Sequence, residues 1–284
     1  MPDFPIVDAH VHLADPKRFS YGWTKSAPSL NRTVLPEHLT KAAVPVKIER
    51  FVFVEVDVDL PQYLAEAAWV DELAKADPRL QGMVACLPLE RGKAIAGELE
   101  QLCQLKTLRG IRRLIQNQSD PDFCIHPQFI EGLKLLAAHD LVFDICIFHH
   151  HLPNAIKMVR QCPEVRFVLD HIGKPGIKAG IIDPWRQHMK ELASLPNVVC
   201  KISGVTTEAD HKSWTREQLK PYIAHAIDSF GFDRVMYGGD WHVSELAGTY
   251  PQWVEVLEWV VEGATAAEKR KLFHDNAIRT YRLA

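Results

Sequence analysis

Short apolar runs rich in β-branched residues recur along the whole chain, at Pro5 to His12, Arg50 to Val56, Gly82 to Leu87, Arg109 to Leu114, Val142 to Phe148, Arg166 to His171, Asn197 to Ser203 and Arg234 to Asp240. Their length and content predict strands. Between most of them lie stretches with helical spacing of apolar positions, Gln62 to Ala76 and Pro127 to His139 among them. Asp77-Pro78, Cys162-Pro163 and Leu195-Pro196-Asn197 end helices just ahead of a strand, because a residue before proline is pushed out of the helical region. Strand and helix alternating without hairpin turns predict a parallel sheet covered by helices. Eight such strands predict an α/β fold, a single (β/α)8 TIM barrel over residues 1–284, with its active site at the carboxyl-terminal ends of the strands. A doubly wound sheet would need a glycine-rich turn after an early strand. Here the first strand runs into His10-Val11-His12-Leu13.

Composition narrows the function. With 47% hydrophobic and 24% charged residues, the 284-residue chain can bury one large core. A formal net charge of -3 offers no basic surface for nucleic acid. No apolar run approaches the roughly 20 residues that span a bilayer, and the first residues lack a basic region followed by an apolar core. The expectation is a soluble, cytoplasmic protein acting on a small molecule, without nucleic-acid or membrane partners. The helix faces are ordinarily polar, so no oligomeric state is legible. The six cysteines are scattered and read as free thiols, with Cys86, Cys146 and Cys200 as small core residues on strands.

The candidate chemistry lies at the strand ends. Alternate residues of a strand share a face, so Asp8, His10 and His12 are expected together, opposite Val7, Ala9 and Val11. Both faces of a barrel strand are buried, so the polar row must point into the barrel and be compensated there. Two imidazoles at i and i+2 can converge on one metal ion or one reacting carbonyl. Other strands end in the same manner: Glu55 after the second, Arg112-Arg113 on the fourth, Asp170-His171 on the sixth, Lys201 and Ser203 on the seventh, Asp240 on the eighth. This constellation predicts an active site. A purely structural ion-pair network is the plainer alternative, since buried charges must be paired whatever their purpose.

His10-Val11-His12, His171 within Asp170-His171-Ile172-Gly173-Lys174-Pro175, and Asp240 within Tyr237-Gly238-Gly239-Asp240-Trp241 resemble the amidohydrolase superfamily. More narrowly they resemble its lactonase branch, which includes sugar-acid lactonases and 2-pyrone-4,6-dicarboxylate lactonase. The match spans nearly the whole chain and takes in Gly110-Ile111-Arg112 and Lys201-Ile202-Ser203-Gly204. The resemblance implies a hydrolase that opens a ring ester, with Asp240 activating water. His10, His12 and His171 would either hold a metal or polarise the carbonyl directly. Binuclear members carry a lysine or glutamate ligand on strand four, where this chain offers only Arg112 and Arg113, which have no lone pair to give. At most one divalent ion such as zinc follows, held by His10, His12, His171 and Asp240, with Glu55 as a further candidate. Members of this branch that work without metal keep the metal-free alternative open.

Burial is expected to raise the pKa of Asp240 toward the working range of a general base. Arg112 and Arg113 alternate in direction, so one should face inward and bind substrate through its forked guanidinium. Glu55 reads as a ligand or as an acceptor for sugar hydroxyls, and Lys201 as a substrate contact or a partner for Glu55. The long segment from Ala14 to Pro36 carries Tyr21, Trp23, Lys25, Asn31 and Arg32; long loops in compact domains are usually functional. Trp23, Lys25 and Trp241 are candidate substrate contacts, with His150 and His242 as further ones. The Tyr-Gly-Trp and Leu-Asn-Arg stretches resemble sugar-lactonase members, which implies a deoxy-aldonolactone such as L-fuconolactone or L-rhamnonolactone. A metal-dependent decarboxylase of an aromatic or dienoic acid is the competing reading on the same barrel.

Overall fold

All eight apolar runs are strands in the computed structural model, which describes residues 1–284. They are β1 (Ile6–Val11), β2 (Ile48–Val54), β3 (Leu80–Cys86), β4 (Leu108–Arg112), β5 (Val142–Ile145), β6 (Arg166–Leu169), β7 (Val198–Ile202) and β8 (Val235–Tyr237). Each pairs in parallel with the next in chain order, and together they make a nearly closed barrel. The crossover helices form the outer layer: α1 (Pro36–Ala43), α2 (Tyr63–Ala76), α3 (Ala96–Leu102), α4 (Pro127–Ala138), α5 (Leu152–Gln161), α6 (Trp185–Ala193), α7 (Arg216–Phe230) and α8 (Tyr250–Val260). Two short helices follow, α9 (Ala266–Arg270) and α10 (Asn276–Tyr281). No helix is long and apolar enough to cross a membrane. Several strands stop earlier than the apolar runs do, so His171 and Asp240 sit in the turns just beyond β6 and β8.

Strand alternation sorts the core into two layers. Phe51, Phe53, Phe143 and Phe167 face outward and fill the space under the helices. Val7, Ala9, Val52, Val54, Val84, Val142, Val168 and Met236 face inward, where the narrow interior favours small branched side chains. Tyr281 and Leu283 close this inner layer from below.

β1 departs from strict alternation. Between Asp8 and Val11 it uses three steps where β2, from Phe51 to Phe53, uses two. This one-residue bulge changes which side chains share a face. Val7 and Ala9 belong to the inner layer while Val11 belongs to the outer one. The expected grouping of Asp8 with the two histidines is therefore corrected. Asp8 turns toward α8, accepting from the Tyr250 hydroxyl at 2.8 Å and from the Gly239 N–H at 2.8 Å. A side chain at Gly239 would strike Asp8 and Tyr250.

The barrel closes between β1 and the turn after β8. The Asp240 N–H donates to the His10 carbonyl at 2.8 Å and the His12 N–H to the Trp241 carbonyl at 2.6 Å. Closure thus fixes His10, His12 and Asp240 against one another. The segment from Ala14 to Pro36 is ordered by a bridge between Ala14 and Val34 and by short 3-10 turns at Gly22–Ser26 and Pro28–Leu30.

Candidate active site

At the carboxyl-terminal mouth, three imidazoles gather around one carboxylate. His12 Nε2 lies 3.4 Å, His10 Nε2 3.8 Å and His171 Nε2 4.0 Å from Asp240 Oδ1, and the two β1 imidazoles approach to 3.2 Å. Each ring is held from behind by its other nitrogen. His12 Nδ1 meets the Val54 carbonyl at 2.8 Å, His171 Nδ1 the Ser203 hydroxyl at 2.9 Å, and His10 Nδ1 faces Asp170 Oδ1 at 3.3 Å. Outer partners of this kind set the tautomer and leave Nε2 aimed at the common point.

Charge is compensated in a layer beneath. Lys201 Nζ lies 2.5 Å from Asp144 Oδ2 and 3.0 Å from Asp170 Oδ1, all fully buried. The Tyr281 hydroxyl donates to Asp144 at 2.9 Å. Arg112 donates through Nε to Glu55 Oε1 at 2.6 Å, through Nη2 to the Glu55 carbonyl, and through Nη1 to Asp170 at 3.2 Å. Burial opposes ionisation of Asp170, but Lys201 and His10 outweigh it and hold the carboxyl well below the usual range. Burial opposes ionisation of Asp240 too, yet His171, His12 and His10 hold it low. The expected upward shift of Asp240 is therefore corrected: three imidazoles outweigh desolvation. Burial, then Lys201, pushes His10 well below the ordinary imidazole value, and burial takes His171 down to about 4.

A cavity of about 200 Å³ opens above, with His12, His171 and Asp240 at its base. Arg112 and Trp23 line it, and the Trp23 indole is fixed by donating to the Val56 carbonyl at 2.8 Å. The other sequence candidates lie elsewhere. Arg113 points outward, since it follows Arg112 on the strand, and pairs with Glu90 at 2.6 Å. Lys25 is exposed and away from the cavity. Trp241 is buried beneath the loop, donating to Glu245 at 2.8 Å. Glu55 accepts from Arg112 with one oxygen and from the Asp57 N–H with the other, and stands outside both convergent groups of donors. Lys201 lies below the site, paired with Asp144 and Asp170 rather than with Glu55. His150 sits in a 3-10 turn after β5, outside the cavity, and His242 is buried without lining it.

Several cavity residues escaped the sequence reading: Asp57, Gln116, Asn117, Lys174 and Thr207. Lys174 carried a signal, standing three residues after His171 in the same turn; the rest sit in loops without periodicity. Cys146 also reaches the wall, but burial pushes its thiol up to about 11, so no thiolate is present.

The donor set fits one divalent cation. A tetrahedral zinc site with nitrogen and oxygen ligands separates its donors by about 3.4 Å, and the distances among His10, His12 and Asp240 are 3.2 to 3.8 Å. His10, Asp170 and His171 form a second convergent group. There Lys201 and Arg112 already supply the positive charge, which favours the first group for a cation.

A family model described as amidohydrolase matches residues 7–283. An L-fucono-1,5-lactonase of Burkholderia ambifaria is 31% identical over 98% of this chain and 95% of its own. A 4-sulfomuconolactone hydrolase of Rhizobium radiobacter is 23% identical over 82% of this chain and 74% of its own. The crystal structure of a Burkholderia multivorans amidohydrolase with bound zinc superimposes with a TM-score of 0.90, at 29% identity over 99% of this chain and 100% of that one.

Proposed function

This chain belongs to the amidohydrolase family, and from that premise we propose that it hydrolyses the ring ester of a lactone, specifically a deoxy-aldonolactone such as L-fucono-1,5-lactone. The observation that carries the reading is the convergence of three imidazole Nε2 atoms on the Asp240 carboxylate, each ring tied from behind. His10, His12 and Asp240 would hold one divalent cation such as zinc. Bound there, the ion polarises a carbonyl and lowers the pKa of water.

The residues of the chain supply the rest. Asp240 turns Oδ1 to the histidines and Oδ2 toward Gly204. Being ionised, it takes a proton from the attacking water and returns it to the ring oxygen as the ester bond breaks, so no free alkoxide is released. A carboxylate held this low is a weak base toward ordinary water, which is why the fit of a cation matters. His171, neutral at working pH and backed by Ser203, donates through Nε2 to the carbonyl oxygen as negative charge builds. Trp23, Val56, Leu114 and Val243 give the cavity an apolar wall that strengthens these interactions.

The test is a pH-indicator assay of deoxy-aldonolactones and carboxylated lactones, on protein stripped with a chelator and reloaded with zinc. Zinc binding is followed separately by calorimetry. Turnover of a sugar lactone is expected, lost on stripping and restored on reloading. Asp240→Asn should lower kcat by about a hundredfold or more; wild-type turnover in that variant would remove Asp240 from its role. Turnover of no lactone, with release of carbon dioxide from an aromatic acid, would turn the assignment to decarboxylation.

A further inference from the structure

The cavity carries two charged side chains, Asp57 and Lys174, that make no direct ion pair. The Asp57 carboxylate makes no hydrogen bond or ion pair; only its backbone N–H is engaged, by Glu55 Oε2 at 2.8 Å. Lys174 Nζ meets only the Gln116 amide oxygen, at 2.6 Å, and the face of Phe148, 5.4 Å from the ring centroid. Asp57 follows β2 and Lys174 follows β6, four strands apart in a ring of eight, so the two flank the mouth from opposite sides. Both occupy the left-handed region, with φ of 55° and 45°. Non-glycine residues are rarely held there, and such conformations cluster at ligand sites. Gln116 gives its oxygen to Lys174 and to Cys146, which leaves its amide N–H groups for a ligand.

We propose that Asp57 and Lys174 are specificity residues that read the substituents of the substrate ring. Asp57 accepts ring hydroxyls and repels ring carboxylates, while Lys174 and Gln116 donate to oxygens at the opposite edge. The inference rests on the lactonase reading of this site and names its substrate class, a neutral polyhydroxylated ring rather than a dicarboxylate. A dicarboxylate ring that seats one group at Lys174 brings the other toward Asp57, and an unpaired like charge is how a site excludes a competitor. Burial, with Glu55 nearby, pushes Asp57 up to about 6 against the pull of Arg112 and Arg113. At pH 8 it is ionised.

The experiment uses two inert ring lactams at pH 8, one a deoxy-hexonolactam and one bearing two carboxylates. Each is titrated calorimetrically into wild type and Asp57→Asn, and the matching lactones are assayed in parallel. Asparagine tolerates the left-handed backbone, so the fold is retained. Asp57→Asn should weaken the hydroxylated lactam and strengthen the dicarboxylate, each by about tenfold or more. Lys174→Met should weaken both. Two lactams that respond alike to Asp57→Asn, or not at all, overturn the inference. Lactams that shift as expected while wild type opens neither lactone leave the recognition standing and remove the hydrolase reading. Lactones that are opened with an unchanged preference in Asp57→Asn do the reverse.

Discussion

Lys201 is a long cation with no exposure to solvent, and its ammonium lies between Asp144 and Asp170 directly beneath His10. Removing one partner of a buried charge cluster leaves the others uncompensated, which usually costs about 3–5 kcal/mol. Lys201→Met should lower stability by that amount in urea unfolding, and adding Asp144→Asn should recover part of it. No loss in the single variant would mean that the two carboxylates do not depend on Lys201. The sequence placed this residue at a strand end and so close to the site. Its partners were not named because they lie 57 and 31 residues away along the chain (201 − 144 and 201 − 170). Arg112 and Arg113 show the same limit. Alternation said that one faces in, and only the pairing of β4 with its neighbours tells which.

Among the elements, the loops after the strands supply most of the cavity wall. The segment after β1 is pinned at three points: Trp23 to the Val56 carbonyl, Ser20 and Gly22 to Asp59, and Arg32 to Glu245. Glu245 also accepts from Trp241, next to Asp240, so one carboxylate joins the loop over the cavity to the turn that presents Asp240. Arg32 is partly exposed, and surface pairs contribute only about 0–1 kcal/mol to stability. Arg32→Ala should therefore leave the melting temperature nearly unchanged while raising KM for a lactone several-fold by freeing the loop. Equal changes in kcat and KM, or none, would detach this pin from substrate binding. The segment's length marked it as functional, and Trp23 does line the cavity. Lys25 does not, because the turn that begins at Gly22 directs it to solvent, and a turn of that kind leaves no periodic trace in the sequence.

For the molecule as a whole, the barrel was legible because eight branched apolar runs with helical stretches between most of them leave few ways to bury both faces of a sheet. The bulge in β1 was not. Val7, Ala9 and Val11 alternate without interruption in the sequence, and only the pairing with β2 exposes the extra residue. That residue sets a conflict between durability and use. Deleting Ala9 would return β1 to strict alternation from Val7 to Val11. It would also draw the two imidazoles one residue deeper into the barrel, on the same face but away from Asp240. The shortened protein should unfold no more easily than its parent, as read by thermal melting, yet bind zinc far more weakly and open no lactone. Engineering aimed only at heat tolerance tends toward such regular barrels. In this chain it would select against the activity, so any screen for robust variants has to score turnover beside melting.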